Sequence, residues 1–323
     1  MQTGKGKIVR ETVERFPDKP SLTLAKYLVH EYGELFDQKV ENARSLVRTY
    51  RGTHGEKNRR KYKNLIVPRI ERIPPSLSPV RSPFILPPGT WLLMQDLHVP
   101  FHSPKAIEAA VNYGIKQKIT GVIMFEMQDC AALSFWPTAR RDFNKEIEMA
   151  IDFNDWLRKA VGNKVQIIEA PGNHGDRLEK YLIDHALELV KTPVCDMEVM
   201  LDLENRGIEY LQQKQIIQAG YLYILHGHEV RLSAGNVNPA RSLYLKTKAI
   251  AVCGHLHRTS EHAEVGLDKK LVTCWSVGCL CGLEPDYAPI NNWNWGFGIL
   301  HLEKSGMFEF ENKRILPDGK TVV

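Results

Sequence analysis

The chain has 323 residues, of which 43% are hydrophobic and 25% charged, the composition of an ordinary globular protein with room for one large domain and a smaller one. No apolar run reaches the roughly 18 to 20 residues that span a bilayer. The basic start Met1-Gln2-Thr3-Gly4-Lys5 meets acidic residues without an intervening apolar stretch, so no membrane contact and a cytoplasmic location are expected. The net charge of +5 is uneven, because residues 1–63 carry 15 basic and 8 acidic side chains and the remainder 28 and 30.

The basic character therefore belongs to an N-terminal module, residues 1–63, either facing a polyanion or simply solvated. Within it, Leu22, Leu24, Ala25, Leu28 and Val29 recur at helical spacing and Tyr32-Gly33 interrupts them. A second helix over about 40–50 places Val40, Ala43, Leu46 and Val47 on one face, with Arg44, Arg48 and Arg51 on or near the other. With the basic tail at 51–61 this predicts a small helix-turn-helix-like unit, for which nucleic-acid contact and a packing role both stay open. Residues 64–90 hold seven prolines and predict an extended linker.

From Trp91 the pattern alternates. Short apolar runs at 91–94, 121–125, 165–168, 221–225 and 249–252 read as buried strands. Helical segments are expected at about 104–118, 142–161, 176–189 and 239–246. This alternation predicts a layered α/β domain over residues 91–323, closed by a hairpin formed by 298–302 and 307–310. Six scattered cysteines form no CxxC pair; Cys279 and Cys281 could bind a metal, but buried thiols are the simpler reading.

Ligands of such folds bind beyond the carboxyl ends of the strands, and there the polar motifs sit. The first strand runs into Asp96-Leu97-His98, whose alternate side chains share one face of an extended chain. The third runs into Gly172-Asn173-His174-Gly175-Asp176 before a helix, which reads as a turn with a neutral oxygen donor or as a helix cap. The next two run into His226-Gly227-His228 and into Gly254-His255-Leu256-His257. Six of the twelve histidines thus gather at predicted strand ends, where packing alone explains them poorly, because buried imidazoles are costly without partners.

In this order the motifs resemble the calcineurin-like metallophosphoesterase superfamily over about residues 91–302. Gly172 to Tyr181 and Trp275 to Phe297 look particularly like phosphoesterases encoded by tailed bacteriophages, which would place the chain in the host cytoplasm. The resemblance implies a layered, metallophosphoesterase-like β-sandwich flanked by helices. It also implies two divalent metal ions, Mn²⁺ foremost, with Fe, Zn, Ni or Mg as alternatives. Asp96, His98 and His257 would ligate one, and Asn173, His226 and His255 the other. The bridging carboxylate departs from the family's Gly-Asp-x-x-Asp: here stands Phe125-Glu126-Met127-Gln128-Asp129, with Glu126 preferred as the bridge and Asp129 as the alternative.

By the same resemblance, a metal-activated hydroxide attacks a phosphodiester or phosphomonoester and His174 serves as general acid. His228, Arg231 and Arg258 stand beside ligand motifs and could contact phosphate, although both arginines also read as solvated loop cations. His102 either lines the mouth or opens the next helix. Trp275, Tyr287, Trp293, Trp295 and Phe297 could stack on a base or pack at a sheet edge. The substrate is expected to be a phosphate ester, with nucleic acid or nucleotide favoured by the basic module. A protein or small-molecule phosphatase and a degenerate, non-catalytic binding protein are the alternatives, and the sequence leaves the oligomeric state open.

Overall fold

The structure, a computed structural model, describes residues 4–54, 75–78, 80–134, 142–190, 192–232 and 237–323. Most of the basic tail, and residues 64–74 and 79 of the proline-rich stretch, lie outside the described residues. The chain divides into two compact units, Met1–Pro79 and Val80–Val323.

The first unit holds α1 (Gly4–Arg15), α2 (Ser21–Tyr32) and α3 (Val40–Tyr50). The two helices expected from apolar spacing are present, and α1 precedes them. Their apolar faces meet in a core of Val9, Leu24, Leu28, Phe36, Ala43 and Val47. The break after Tyr32 is a short 3-10 turn ending in left-handed backbone at Asp37 and Gln38. Two of the arginines read as basic surface are committed locally. Arg51 donates to the carbonyls of Phe16 (3.0 Å) and Pro17 (2.8 Å) and to the Ser21 hydroxyl (3.4 Å), while Arg44 pairs with Glu41 at 2.9 Å.

The second unit is built on two six-stranded sheets. One runs β12 (Phe308–Arg314), β11 (Gly296–Leu302), β2 (Gly89–Gln95), β3 (Gly121–Phe125), β4 (Gln166–Ala170) and β5 (Ile208–Tyr210). The other runs β1 (Phe84–Ile85), β6 (Ile217–Ala219), β7 (Leu222–Ile224), β8 (Ala251–Cys253), β10 (Leu271–Ser276) and β9 (Ser260–Val265). The apolar runs of the sequence form the parallel centres β2–β3–β4 and β7–β8, and the closing hairpin is β11–β12. Strand β1 falls inside the proline-rich stretch and pairs with β6.

Alternation along each strand assigns the layers. Trp91, Leu93, Ile123, Phe125 and Ile168 point from the first sheet toward Ile217, Leu222, Ile224 and Val252 of the second, forming one core between the sheets. Leu92, Met94, Val122, Met124 and Ile167 point the other way, onto α4 (Pro104–Lys116), α5 (Phe143–Val161) and α6 (Asp176–His185). Leu225, Ala251, Cys253 and Cys274 form the outer core of the second sheet with α8 (Pro239–Thr247), which follows the one-turn α7 (Met197–Met200). The architecture is thus a mixed α/β sandwich with helices outside. Burying each large apolar side chain here contributes about 1.5–3 kcal/mol, which fixes the strand ends from which the polar loops emerge. One helix is shorter than its periodicity predicts: α6 stops at His185, because Ala186 leaves helical dihedrals and a 3-10 turn follows.

Candidate metal centre

The loop after β2 is fastened to the loop after β3 by main-chain bonds: Asp96 N–H donates to Phe125 O, Leu97 and His98 to Glu126 O, and Val99 to Met127 O, at 2.8–3.1 Å. Both loops turn abruptly. Asp96, His98, Glu126, His255 and His257 all hold left-handed φ between 52° and 66°, a region that non-glycine residues seldom occupy and that costs of order 1–3 kcal/mol each. Five of the residues selected from the sequence therefore sit on strained backbone that the surrounding packing must enforce.

These turns bring buried side chains together. Asp96, fully buried, directs Oδ1 at His226 Nε2 (3.0 Å), His257 Nε2 (3.4 Å) and His98 Nε2 (3.9 Å), while Oδ2 accepts the His255 N–H at 2.8 Å. The Nε2 atoms of His98 and His257 face each other at 3.3 Å. Glu126 accepts the N–H groups of His174 (2.8 Å) and Gly175 (3.2 Å) at the start of α6, and its Oε2 lies 3.5 Å from His226 Nε2. The His226 and His255 rings stand 4.9 Å apart. Two glycines admit this density: a Cβ at Gly172 would overlap the Glu126 carboxylate, and one at Gly254 would lie 2.6 Å from Asp96 Oδ2.

Electrostatics follow from that crowding. Burial opposes charge on Asp96, but His257 and His226 outweigh it and hold the carboxyl well below the usual range. Glu126 is likewise lowered against its burial by His174, His226 and His98. In return, and again against burial, Asp96 lifts His257 to about 10, and Glu126 with Asp96 lifts His226 to about 9. His255 is pushed down to about 4, first by burial and then by His226, and His98 is lowered mainly by burial. Two carboxylates thus face two imidazoles in a buried pocket and favour positive charge on them, the charge that a bound cation would supply in their place.

The donor set suits a divalent transition metal: imidazole nitrogens and carboxylate oxygens converge within hydrogen-bond distance. Two polar atoms give a further sign of fit. Among the described residues, Glu126 Oε2 and Asn173 Oδ1 are buried without a hydrogen-bond partner, a costly condition that a cation would relieve. Two groups have their ligand atoms within 4.8 Å of one another: His98, His257 and Cys281, and His98, Asp129 and His174. Cys281 lies with Sγ 3.9 Å from His257 Nδ1, and Trp293 packs its ring edge-on to His257 at 4.0 Å.

Asp129 stands on the other side of His98. Its Oδ2 meets His98 Nδ1 (2.9 Å) and His174 Nδ1 (3.0 Å), and its Oδ1 takes Arg177 Nη1 at 2.8 Å. Arg177 also donates Nη2 to His174 Nε2 at 3.1 Å. A guanidinium only donates, so His174 Nε2 is the acceptor and its ring proton lies on Nδ1. Sequence reasoning missed Arg177; its position three residues after His174, at the start of α6, was the available signal. It also missed Glu229, which accepts the His226 and Gly227 N–H groups at 3.1 and 2.6 Å.

The remaining expected residues are placed less centrally. His228 turns Nδ1 onto His226 Nδ1 at 2.9 Å. Arg231 is exposed, and Arg258 is half-buried beside His257. Among the aromatics, Trp275 packs on Phe310 and Trp295 is buried, which is sheet packing; Tyr287 and Trp293 stand together by His257.

No protein-family model matches the chain, and no curated protein matches it. Solved structures similar to it include Vacuolar Protein Sorting 29 from Cryptosporidium parvum, 14% identical over 73% of this chain and 96% of that one with a TM-score of 0.40. Vps29 of Chaetomium thermophilum is 13% identical over 73% and 94% (TM-score 0.35), and Yfce, a phosphoesterase from E. coli, 16% identical over 65% and 87% (TM-score 0.32). Likenesses this distant carry no argument about what the chain does, and none of these three comes from a bacteriophage.

Proposed function

We propose that the chain is a metal-dependent phosphoesterase of the calcineurin-like kind. The observation that carries this reading is the convergence of Asp96, His98, His226 and His257 on one buried point, with Glu126 Oε2 turned toward His226 and without a hydrogen-bond partner among the described residues. Asp96, His98 and His257 would hold one divalent ion, and Asn173, His226 and His255 a second. Glu126 is the better bridge than Asp129, because its free oxygen is turned toward His226 whereas Asp129 is spent on His98, His174 and Arg177. When bound, such ions polarise a phosphate and lower the pKa of water enough for attack near neutral pH.

The chain's own residues supply the rest. Asp129 and Arg177 hold His174 between them, fixing its tautomer. With Arg177 displaced from Nε2, that nitrogen could take up a proton while Asp129 keeps the Nδ1–H, and His174 in this doubly protonated form could pass the Nε2 proton to a leaving-group oxygen; the displaced guanidinium would be free to meet phosphate oxygens. Arg177 is thereby a stronger phosphate contact than exposed Arg231. Tyr287 and Trp293, beside His257, offer a stacking surface to an aromatic leaving group, which favours a nucleotide. Nucleic-acid contact through the N-terminal unit draws less support, since Arg44 and Arg51 are engaged internally.

Metal analysis of the purified protein beside turnover of bis-p-nitrophenyl phosphate with Mn²⁺ tests the proposal. Stoichiometric metal, turnover, loss of metal in His255→Ala and retained metal with a lost rate in His174→Ala are expected. Absence of turnover with every divalent metal would leave a binding protein as the better reading.

A further inference from the structure

His102 follows the first ligand motif by four residues, and the metal centre makes no use of it. It lines a cavity of about 400 Å³ in the second unit, between the start of α4 and the middle of α5. That volume is in the range of small-molecule sites. Phe153 and Met149 form apolar wall, and Trp156, 41% exposed, stands in the opening. The rings form a continuous aromatic surface: His102 to Phe153 is 6.0 Å between centroids at 64°, and Phe153 to Trp156 is 5.9 Å. An indole left in water beside a concave apolar wall is unusual for a surface with no ligand to cover it.

Charge narrows the ligand. Glu108 and Asp152 line the same cavity, and neither has an ion-pair partner among the described residues. No lysine or arginine among the described residues lines it; Lys105 is engaged over the Trp295 ring (4.6 Å) and with the Pro317 carbonyl (3.4 Å). His102 Nδ1 is buried and has no hydrogen-bond partner among the described residues within ordinary bonding geometry, the Pro100 carbonyl being its polar neighbour. An anion would meet two carboxylates here and a neutral apolar molecule would leave them uncompensated. An ammonium group gains both carboxylates and the faces of the aromatic rings.

We propose that this cavity is a binding site for a small organic ammonium ion with an apolar body: the cation lies between Glu108 and Asp152 at the mouth, the body lies against Phe153, Met149 and Trp156, and the buried nitrogen of His102 offers a hydrogen bond. None of the candidate metal ligands lines the cavity, so the site stands whether or not the chain hydrolyses phosphate esters.

Titration calorimetry of the full-length protein with phenethylammonium, and with uncharged 2-phenylethanol as its near-isostere, tests it. Saturable millimolar binding of the ammonium and at least about fivefold weaker binding of the alcohol are expected. Glu108→Gln and Asp152→Asn, both at exposed positions, should each weaken the ammonium about two- to fivefold and leave the alcohol unchanged. Trp156→Ala should weaken both ligands, with an unchanged melting temperature showing that the fold persists. Equal affinity for ammonium and alcohol would reduce the site to an apolar groove, and no saturable heat for either ligand would overturn the proposal.

Discussion

The N-terminal unit and the strand-end cluster of the second unit treat buried polar groups in opposite ways. In the first, Arg51 ends on two carbonyls and a hydroxyl, buried Thr12 donates to the Ile8 carbonyl, and among the described residues Arg44 Nε is the one buried side-chain polar atom without a hydrogen-bond partner. In the second, Asp96, His98, Glu126, His226 and His257 are buried together, and Glu126 Oε2 and Asn173 Oδ1 have no hydrogen-bond partner among the described residues. The backbone differs as well: the three helices are regular, whereas the cluster is carried on a run of left-handed non-glycine residues. One region is arranged for its own stability. The other concentrates buried charge and left-handed backbone at one place, the arrangement on which the proposed metal binding rests.

Replacing the two acidic residues of the loop after β3 one at a time presses hardest on this contrast. Glu126→Gln keeps the shape and its N–H contacts but removes the charge that faces His226. Metal content should fall by about one equivalent and turnover by about 10³-fold or more. Asp129→Asn should keep the metals and lose about 10- to 100-fold in rate, the scale of an orienting partner. Equal metal loss in both variants would erase the distinction drawn between the two carboxylates.

A smaller effect is expected behind the cluster. Glu169 is buried, shares a hydrogen bond with Gln128 Nε2, and has its carboxyl pushed up to about 7, chiefly by burial. Because the folded value lies above the unfolded one near 4.5, the unfolded chain gives up its proton first as pH rises. Native stability is therefore lost between about pH 4.5 and 7 and stays lower above that window. Glu169→Gln should gain on the order of 2 kcal/mol at pH 8 and almost nothing at pH 4, read from denaturant midpoints. A gain of equal size at both pH values would place the cause in packing and not in ionisation.

The smallest effect belongs to the N-terminal unit. Arg51→Ala removes three hydrogen bonds from a partly exposed cation and should cost about 1–2 kcal/mol in the melting of that unit. Metal content and turnover should stay unchanged, and a change in either would show that the unit and the cluster are coupled.

Much of this was legible in the sequence, and the reasons differ by feature. Apolar runs such as Gly121–Phe125 announce strands because burial on both faces leaves no room for polar positions. The histidine motifs are visible because each closes a strand. The short strand Phe84–Ile85 was hidden by flanking prolines, and helix α1 by its glycines and weak apolar spacing. The division of labour between Glu126 and Asp129 was not readable either. It depends on the left-handed turn at Glu126, which rotates the following residues so that Asp129 approaches His98 from its Nδ1 side. Arg177 is a similar case: its charge is plain in the sequence, but its contact with His174 exists only once α6 begins where it does.

The left-handed turns also bear on how this protein could be altered. At Asp96, His98, Glu126, His255 and His257 the chain is held where asparagine and glycine are comfortable and branched side chains are not. A laboratory search for greater heat resistance would therefore favour His255→Asn, which releases backbone tension at a ring held neutral, whereas His257→Gly would leave buried Asp96 without its counter-charge. Heat resistance and the proposed metal binding would then be selected in opposite directions at His255, and a screen reading only thermal survival would return proteins without that proposed ligand.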